Sequence, residues 1–371
     1  MTAYDVAIAG GGPAGCATAI ALRRVGVERV LVADAAGGDG ARVGESIPPD
    51  TRLLLDRLGV TGRFEADGHE PCLGSCSAWG GAELGYNDFL FNPHGHGWHL
   101  DRRRFDASLA AEAKAAGAEV AAGWACRRAE RGDGALVLRL EREGEEGQTV
   151  RARFVVDATG RVARVARALG ARRLVDDRLT CVVAFLRGGP ASRLTRLTML
   201  EAVEDGWWYA ARLPAEGAVV AVAGDPDVVK RAGLHTEEGW LGALAETEHL
   251  RGELEGCRIE EMVVRTAPSF ALDPAAGEDW LAAGDAAAAC DPIAAQGIHN
   301  ALSDGLLAGR AIAARLGGEP GALDGYREAI AARHAAYREV RDHLYERERR
   351  WADAPFWARR RARAAAVGLA G

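Results

Sequence analysis

The first 34 residues carry the feature that most constrains the fold of this chain. An apolar run typical of a buried β-strand breaks into glycines with the spacing G-x-G-x-x-G and continues as an alanine-rich helical pattern. In such a turn, the first glycine makes the tight bend. The second leaves room for a pyrophosphate at the helix N-terminus, and the third lets the helix pack on the strand. The predicted dinucleotide contacts are Gly10, Gly12, Pro13, Ala14 and Gly15.

A second strand strengthens this prediction. The apolar run Arg29–Ala33 ends at Asp34, an acidic residue about 20 positions after the glycines. A carboxylate at this place accepts a hydrogen bond from a ribose hydroxyl. The glycines, the helix and the terminal acid together predict a parallel sheet that binds a dinucleotide.

Two further strands end in turns that suit the same ligand. The first runs into Asp157-Ala158-Thr159-Gly160, and the second into Gly284-Asp285. The segment from Asp291 then leads to a helix predicted from Gly297 through Leu316, whose N-terminal amides face a flavin ring in this prediction. The expected contacts in these segments are Asp157, Gly160, Gly284, Asp285, Asp291, Pro292, Gly297 and Ile298.

The remaining patterns predict an α/β protein with a Rossmann-like domain, an inserted antiparallel β-sheet and C-terminal helices. Apolar alternation between residues 179 and 265 indicates several strands and one helix, and residues 120–149 have the pattern of a β-meander. We predict a discontinuous dinucleotide domain of residues 1–70, 99–178 and 266–320. A substrate domain is expected at residues 71–98 and 179–265, and a helical segment at residues 321–371.

Composition excludes several other classes of protein. An apolar fraction of 48% and a charged fraction of 27% favour a folded globular chain. The net charge of −7 gives no electrostatic basis for binding nucleic acid or an anionic membrane. Seven scattered cysteines do not suggest a secreted disulfide framework, and no apolar stretch has the length of a membrane span. A cytoplasmic location without a bound metal is therefore expected.

On these motifs, the chain resembles the FAD-dependent monooxygenases of the p-hydroxybenzoate hydroxylase fold, and within them the branch that contains the tryptophan halogenases. The resemblance implies that FAD is bound and that Arg42, Ser46 and Arg102 join the cofactor site. It also implies reduction by NAD(P)H or an external flavin reductase. Molecular oxygen would then form a C4a-(hydro)peroxyflavin that attacks an electron-rich ring.

Within this branch, three stretches look most similar to flavoproteins that hydroxylate tryptophan residues of partner proteins during tryptophylquinone maturation. They are Gly85–Pro93, Gly95–Arg102, and Arg350-Trp351 with Pro355-Phe356-Trp357. Hydroxylation of a small aromatic natural product is one alternative. A double-bond reductase resembling geranylgeranyl reductase and a non-catalytic FAD-binding partner are others. Halogenation is disfavoured, because Lys114 and Lys230 are the only lysines and neither lies where halogenases of this branch place theirs.

Candidates for proton transfer and for the substrate pocket come from the polar and aromatic residues of the inserted regions. Imidazole titrates near neutral pH, and an apolar aromatic pocket shields reactive oxygen chemistry from water. The expected catalytic residues are His94, His96, His99 and Glu45. The expected substrate contacts are Trp79, Trp98, Trp207, Trp208 and Tyr209.

Overall fold

The computed structural model describes residues 2–36, 42–188, 194–254 and 256–368. The helices are α1 (Pro13–Arg24), α2 (Thr51–Leu58), α3 (Thr61–Ala66), α4 (Arg102–Ala115), α5 (Arg164–Ala168), α6 (Pro226–Arg231), α7 (Glu237–Ala245), α8 (Leu250–Glu253), α9 (Gly297–Leu316), α10 (Asp324–Arg347) and α11 (Pro355–Gly368). Among these described residues, no helix is both long enough and apolar enough to span a lipid bilayer.

The strands of the first half are β1 (Thr2–Ala9), β2 (Val30–Asp34), β3 (Ser46–Ile47), β4 (Glu70–Cys72), β5 (Gly74–Ala78), β6 (Gly85–Asp88), β7 (Gly97–His99), β8 (Glu119–Ala122), β9 (Ala125–Gly132), β10 (Ala135–Glu141) and β11 (Gln148–Asp157). Those of the second half are β12 (Arg172–Val175), β13 (Thr180–Arg187), β14 (Leu197–Val203), β15 (Gly206–Leu213), β16 (Gly217–Gly224), β17 (Arg258–Thr266), β18 (Phe270–Asp273), β19 (Trp280–Ala282) and β20 (Ala288–Ala289).

One seven-stranded sheet, here called the nucleotide sheet, has the order β8-β2-β1-β11-β10-β9, with β19 paired to β11. Its central strands β2, β1, β11 and β19 run parallel, as the predicted dinucleotide fold requires. Helices α1 and α9 pack closely because a Cβ on Gly305 or Gly309 would lie 2.5 Å from the Cβ of Ala17 or Ala21. The small residues of both helices therefore bring their N-termini to the same edge of the sheet.

The predicted meander at residues 120–149 is partly wrong. Strands β9, β10 and β11 do form antiparallel neighbours. However, β8 lies at the other end of the nucleotide sheet, where it pairs in parallel with β2. The short turn between β8 and β9 resembles a hairpin turn in sequence. However, β8 pairs with β2, which lies on the opposite side of β1 from β11, β10 and β9.

A second seven-stranded sheet, the substrate sheet, has the order β17-β13-β16-β15-β14-β5-β6. Its outer face packs against α7 through Trp208 and Trp240. Its inner face packs against the C-terminal helices through Tyr345, Phe356 and Trp357. A smaller sheet, β3-β7-β4, joins the two large sheets, and β12-β18-β20 forms another. The mixed α/β architecture is as expected, and the division into the three stated regions stays a prediction.

Candidate active site

The glycines after β1 have distinct geometric roles. Gly10 has φ of +111°, and a Cβ there would lie 2.1 Å from the carbonyl oxygen of Ala158. A Cβ on Gly15 would lie 1.9 Å from the carbonyl oxygen of Gly10. By contrast, a Cβ on Gly12 would meet nothing within 4 Å. Gly10 and Gly15 thus permit close packing, whereas Gly12 borders open space.

That space adjoins the N-terminus of α1. Gly12 is the N-cap and gives no side-chain hydrogen bond to the helix, and Pro13 occupies the first turn. Ala14, also in the first turn, is buried against the loop that carries Gly284. The uncapped amides and the positive end of the helix dipole suit a phosphate anion.

Asp34 belongs to a cluster of charged side chains beside the same turn. Its carboxylate lies 3.6 Å from a nitrogen of Arg42, which in turn donates to Asp106 at 2.7 Å. Arg102 also contacts Asp106, at 3.2 Å, and donates to the carbonyl oxygens of Val43 and Gly44. Arg102 therefore holds the segment before β3 in place, and Asp34 retains a partly exposed carboxylate that suits a ribose.

The two later strand-to-turn segments differ in what their aspartates contact. The buried carboxylate of Asp157 accepts hydrogen bonds from the amide and hydroxyl of Thr159 at 2.9 and 2.6 Å, and from the amide of Ala166 at 2.8 Å. Asp157 therefore shapes its own turn and leads to Gly160, whose φ is +65°. Asp285 is one-third exposed and pairs with Arg161 at 3.2 Å, so its carboxylate suits a polar ligand chain.

A buried acid that the sequence analysis missed fixes the turn at Gly284. Asp304 of α9 accepts a hydrogen bond from the Gly284 amide at 2.9 Å and forms an ion pair with Arg333. Gly284 has φ of +64°, and a Cβ there would lie 2.8 Å from the Cβ of Ala14. The signal available in the sequence was an acidic residue on a helical face whose other residues are mainly small or apolar.

The segment before α9 leaves a second helix N-terminus uncapped. Asp291 is buried, caps the turn at Pro292 by accepting from the amide of Ile293 at 3.0 Å, and accepts from the hydroxyl of Tyr345 at 2.6 Å. Burial raises the pKa of Asp291. A Cβ on Gly297 would meet nothing within 4 Å, and no side chain caps the first turn of α9.

Ile298 marks the boundary between this open end and the protein core, since its side chain is buried among the apolar residues of the nucleotide sheet. The amides that precede it remain available to a ligand, whereas its own side chain does not face open space. Open space and uncapped amides at both α1 and α9 therefore fit a dinucleotide whose phosphates and ring lie at one edge of the sheet.

Glu45 and Ser46 lie where the nucleotide and substrate sheets meet. Glu45 is 2% exposed, and its Oε1 has no hydrogen-bond partner. Burial raises the pKa of Glu45 to about 7, and nearby Arg102 partly opposes that shift. Ser46 shares hydrogen bonds with the hydroxyls of Tyr209 at 2.8 Å and Thr198 at 3.2 Å. A titratable carboxyl group thus lies beside a hydroxyl chain that crosses between the sheets.

The three predicted histidines do not form one cluster. His99 is buried, its Nε2 lies 3.0 Å from the hydroxyl of Thr198, and burial lowers its pKa to about 4. His96 packs against Trp98 and its Nδ1 lies 2.7 Å from a backbone oxygen, whereas His94 lies in the half-buried loop before it. Within the described ranges, no three His, Cys, Asp or Glu side chains are arranged to hold a metal ion.

The five predicted aromatic residues separate into three groups. Trp79, Trp207 and Tyr209 lie on the inner face of the substrate sheet. Trp208 points to the outer face because neighbouring residues of a strand alternate. Trp98 packs edge-on against Phe64, with ring centroids 5.2 Å apart, in the core of the nucleotide sheet. Trp208 and Trp98 are thus buried in two packed cores on other surfaces than Tyr209, and their role as substrate contacts stays a prediction.

The inner face is only partly covered around Tyr209. Apolar side chains at its half-buried margin belong to both sides of the junction, because Val43 and Ile293 pack on it from the nucleotide side. The half-buried members contributed by the substrate sheet are Phe185, Leu200, Tyr209, Leu213 and Val263. These half-buried side chains form an apolar surface that reaches Ser46 through the Tyr209 hydroxyl, and we call this surface the apolar cleft.

The parallel sheet, the two uncapped helix N-termini and the adjoining apolar cleft define an FAD-dependent oxidoreductase. The comparison with protein families agrees, since the family described as FAD binding domain matches residues 3–341. The chain belongs to this FAD binding domain family.

Relatives and solved structures cover nearly the whole chain. It is 29% identical over 365 residues to LodB of Marinomonas mediterranea, named as an FAD-dependent oxidoreductase, with 98% of each chain covered. The myxobacterial chondrochloren halogenase CndH superimposes with a TM-score of 0.89 at 23% identity, covering 100% of this chain and 90% of that one. The peptidyl tryptophan dihydroxylase QhpG, described as essential for tryptophylquinone cofactor biogenesis, has a TM-score of 0.78 at 26% identity, covering 97% and 79%.

Proposed function

We propose that the protein is an FAD-dependent monooxygenase that hydroxylates an indole ring, and that this ring belongs to a tryptophan of a partner protein. The observation that carries the proposal is the apolar cleft at the junction of the sheets. Tyr209 lies in it, and its hydroxyl is 2.8 Å from that of Ser46. An aromatic ring in this cleft would be shielded from water by apolar side chains on two sides.

The proposed cofactor site uses the residues that border open space. The amides at Gly12 and Gly297 bind FAD at its pyrophosphate and ring ends, and Asp34 and Asp285 accept hydrogen bonds from its polar chain. When bound, FAD supplies two electrons and activates molecular oxygen. Hydroxylation places one oxygen atom in a ring C–H bond, and the two electrons with two protons convert the other into water. NAD(P)H or an external flavin reductase is the proposed electron source.

The proposed proton carrier is Glu45. A carboxyl group with a pKa of about 7 is populated in both protonation states near neutral pH, as an efficient acid–base group requires. Its unpaired Oε1 is free to take a proton, and Tyr209 and Ser46 orient groups in the cleft. His99 is the weaker candidate, because a pKa of about 4 keeps it neutral at pH 7.

One observation supports a peptidyl tryptophan as the substrate, and a second argues against halogenation. QhpG, named for oxidising such a residue, is similar over nearly all of this chain. In addition, neither lysine is near the cleft: Lys114 lies in the last turn of α4, and Lys230 lies in α6, which packs on the outer face of the substrate sheet. The chain therefore has no lysine at Tyr209 to carry a halogenating species.

The test is mass spectrometry of substrates incubated with the FAD-loaded protein, a flavin reductase, NADH and oxygen. The substrates are free tryptophan and the product of any amine dehydrogenase gene found beside the gene for this protein, with chloride and bromide present. A mass gain of one or two oxygen atoms on a protein tryptophan is expected. Oxygenation of free tryptophan alone would indicate that the substrate is a small aromatic molecule. Incorporation of halogen would overturn the proposal of hydroxylation.

A further inference from the structure

A row of residues crosses the substrate sheet from its free edge to the proposed reaction site. Gly85 of β6 pairs with Ser77 of β5, Ser77 pairs with Leu200 of β14, and Leu200 pairs with Tyr209 of β15. Directly paired residues share one face of a sheet, so all four lie on the inner face. The row therefore connects the edge strand to the cleft without passing through the sheet.

The row is exposed to solvent at the edge strand β6 and is covered by other parts of the protein beyond Tyr209. Gly85 is exposed, and a Cβ there would have only the Ser77 carbonyl oxygen nearby, at 3.7 Å. Ser77, Leu200 and Tyr209 are half-buried. The next residue in the row, Ala221, is buried beneath the C-terminal helices. A ligand that follows the row from β6 would thus stop at Tyr209.

Exposed apolar side chains lie on or beside the same two edge strands as the outer end of the row. This edge patch consists of Leu73, Tyr86, Leu90 and Phe91, which are 44%, 69%, 75% and 94% exposed. Tyr86 follows Gly85 but pairs with Cys76 and so faces the outer side, and the other three lie at the opposite end of β5 and β6, about 13 Å or more along the strands. The amide of Phe89 donates to the carbonyl of Leu73 at 2.9 Å, which holds the two parts of the patch together. Four such side chains expose on the order of 500 Å², less than the roughly 800 Å² per partner of a stable interface. The area suits a transient partner better than a permanent dimer.

We propose that a partner protein docks on the edge patch and inserts an extended segment along the row, so that its tryptophan lies beside Tyr209. This inference rests on the proposed function and names the route by which the substrate arrives. Three strand spacings of about 4.8 Å separate β6 from β15, a distance of roughly 14 Å. A segment spans this with about four or five extended residues, so the target tryptophan lies in a protruding loop or terminus.

A second possible route to the cleft begins at a cavity beside the C-terminal helices. A cavity of about 480 Å³ is bordered by α10, α11 and the segment before β13, with Tyr345 as one of its walls. Its other lining residues are mainly charged: Asp176, Asp177, Arg178, Asp225, Asp227, Arg341, Asp342, Arg359 and Arg360. Tyr345 donates to Asp291 and accepts from Trp207, so these side chains separate the cavity from the cleft.

The first test compares a peptide with a small indole. The probes are an eleven-residue peptide with one central tryptophan and N-acetyltryptophanamide, each given to FAD-loaded protein with a flavin reductase, NADH and oxygen. Gly85→Trp blocks the outer end of the row, so kcat/KM for the peptide should fall at least tenfold while that for N-acetyltryptophanamide stays within about twofold. Gly62→Trp is the matched control, because Gly62 is also exposed, its Cβ would meet nothing within 4 Å, and it lies in α3, outside the substrate sheet.

The outcomes separate this route from the proposed function. Equal losses for both probes in Gly85→Trp, or no loss for the peptide, would overturn the route along the row. If the unmodified protein oxygenates N-acetyltryptophanamide but not the peptide, the route fails and hydroxylation stands. If it oxygenates neither probe although its FAD is reduced and reoxidised, the proposed function fails.

The second test needs no turnover. The same peptide carries benzoylphenylalanine five residues from the tryptophan and is irradiated with the FAD-loaded protein. We expect an adduct within residues 83–92, mapped by mass spectrometry, that is lost in Gly85→Trp. An adduct on the charged cavity, at Arg341 or Arg359, would overturn the route, and so would labelling no stronger than that of a tryptophan-free peptide.

Discussion

The nucleotide sheet and the substrate sheet build their halves of the site in different ways. At the nucleotide sheet, the proposed contacts are backbone amides at Gly12 and Gly297, where no side chain caps the helix. At the substrate sheet, they are side chains of one face, centred on Tyr209. Backbone contacts depend on local glycine spacing, whereas a face depends on pairing between distant strands. Substitutions in the two regions should therefore have different effects on folding, cofactor binding and turnover.

The largest effect is expected for Gly15→Val in the nucleotide sheet. The added Cβ would lie 1.9 Å from the carbonyl oxygen of Gly10, a backbone atom that cannot move without displacing β1. We expect loss of the soluble folded protein, measured by yield and by thermal unfolding. Gly12→Ala is the control and should unfold within about 2 °C of the parent, because its Cβ has open space. A Gly15→Val protein with the parental melting temperature would contradict this packing.

A smaller and more specific effect is expected for Gly12→Asp. Aspartate is a favoured N-cap residue, so it stabilises α1 in the absence of the cofactor. Its carboxylate also fills and charges the space proposed for the pyrophosphate. The variant should fold normally but bind FAD roughly 1000-fold more weakly, about 4 kcal/mol, measured by flavin fluorescence titration. A yellow, fully loaded Gly12→Asp protein would show that the phosphate lies elsewhere.

These two positions illustrate what sequence alone predicts. The glycine spacing, the acid at Asp34 and the start of α9 at Gly297 follow from short segments, and the expected parallel strands are present. The hydrogen-bond partners of each aspartate cannot be predicted from such short segments. Asp157 and Asp285 end similar motifs, yet the first bonds its own turn and the second is partly exposed. Only the packing of α5 against the Asp157 turn separates them.

The strands of the substrate sheet could be predicted from the sequence, but the face that lines the cleft could not. Several strands were expected between residues 179 and 265, and β13, β14, β15 and β16 lie there. Which of Trp207, Trp208 and Tyr209 share a face follows from alternation. Which face packs against the nucleotide side and the C-terminal helices depends on distant contacts with Ser46 and Tyr345. Thr198 was missed for the same reason, because its partners His99 and Ser46 are about 100 and 150 residues away.

The two faces of β15 provide the next test. Trp208 is fully buried against Trp240 on the outer face, so Trp208→Ala should destabilise the protein by about 3–5 kcal/mol without changing kcat per folded molecule. Tyr209→Phe should change stability by about 1 kcal/mol, because it removes one hydrogen bond, and lower kcat roughly tenfold. Denaturant unfolding and product formation measure the two effects. Reversed results would place the substrate on the outer face.

The smallest effect is expected where the two sheets meet, at Glu45. Burial raises its folded pKa to about 7 from an ordinary value of 4.5. Folding therefore favours the protonated form, and its contribution to stability is lost as the pH rises from about 4.5 to 7, where the unfolded chain ionises first. Glu45→Gln cannot ionise, so its melting temperature should exceed the parent's by on the order of 2 °C at pH 8 and match it near pH 4.5.

Activity gives the second readout for the same residue. If Glu45 carries the proton, a step near pH 7 in the pH profile of kcat should disappear in Glu45→Gln, while FAD stays bound. Glu83→Gln, at an exposed glutamate in the β5–β6 connection, is the control and should alter neither measurement. A difference in melting temperature that does not vary with pH would show that folding leaves the pKa of Glu45 at its ordinary value, so that the group is ionised at neutral pH. In that case the junction would be held by its attraction to Arg102 and would not contain a neutral acid.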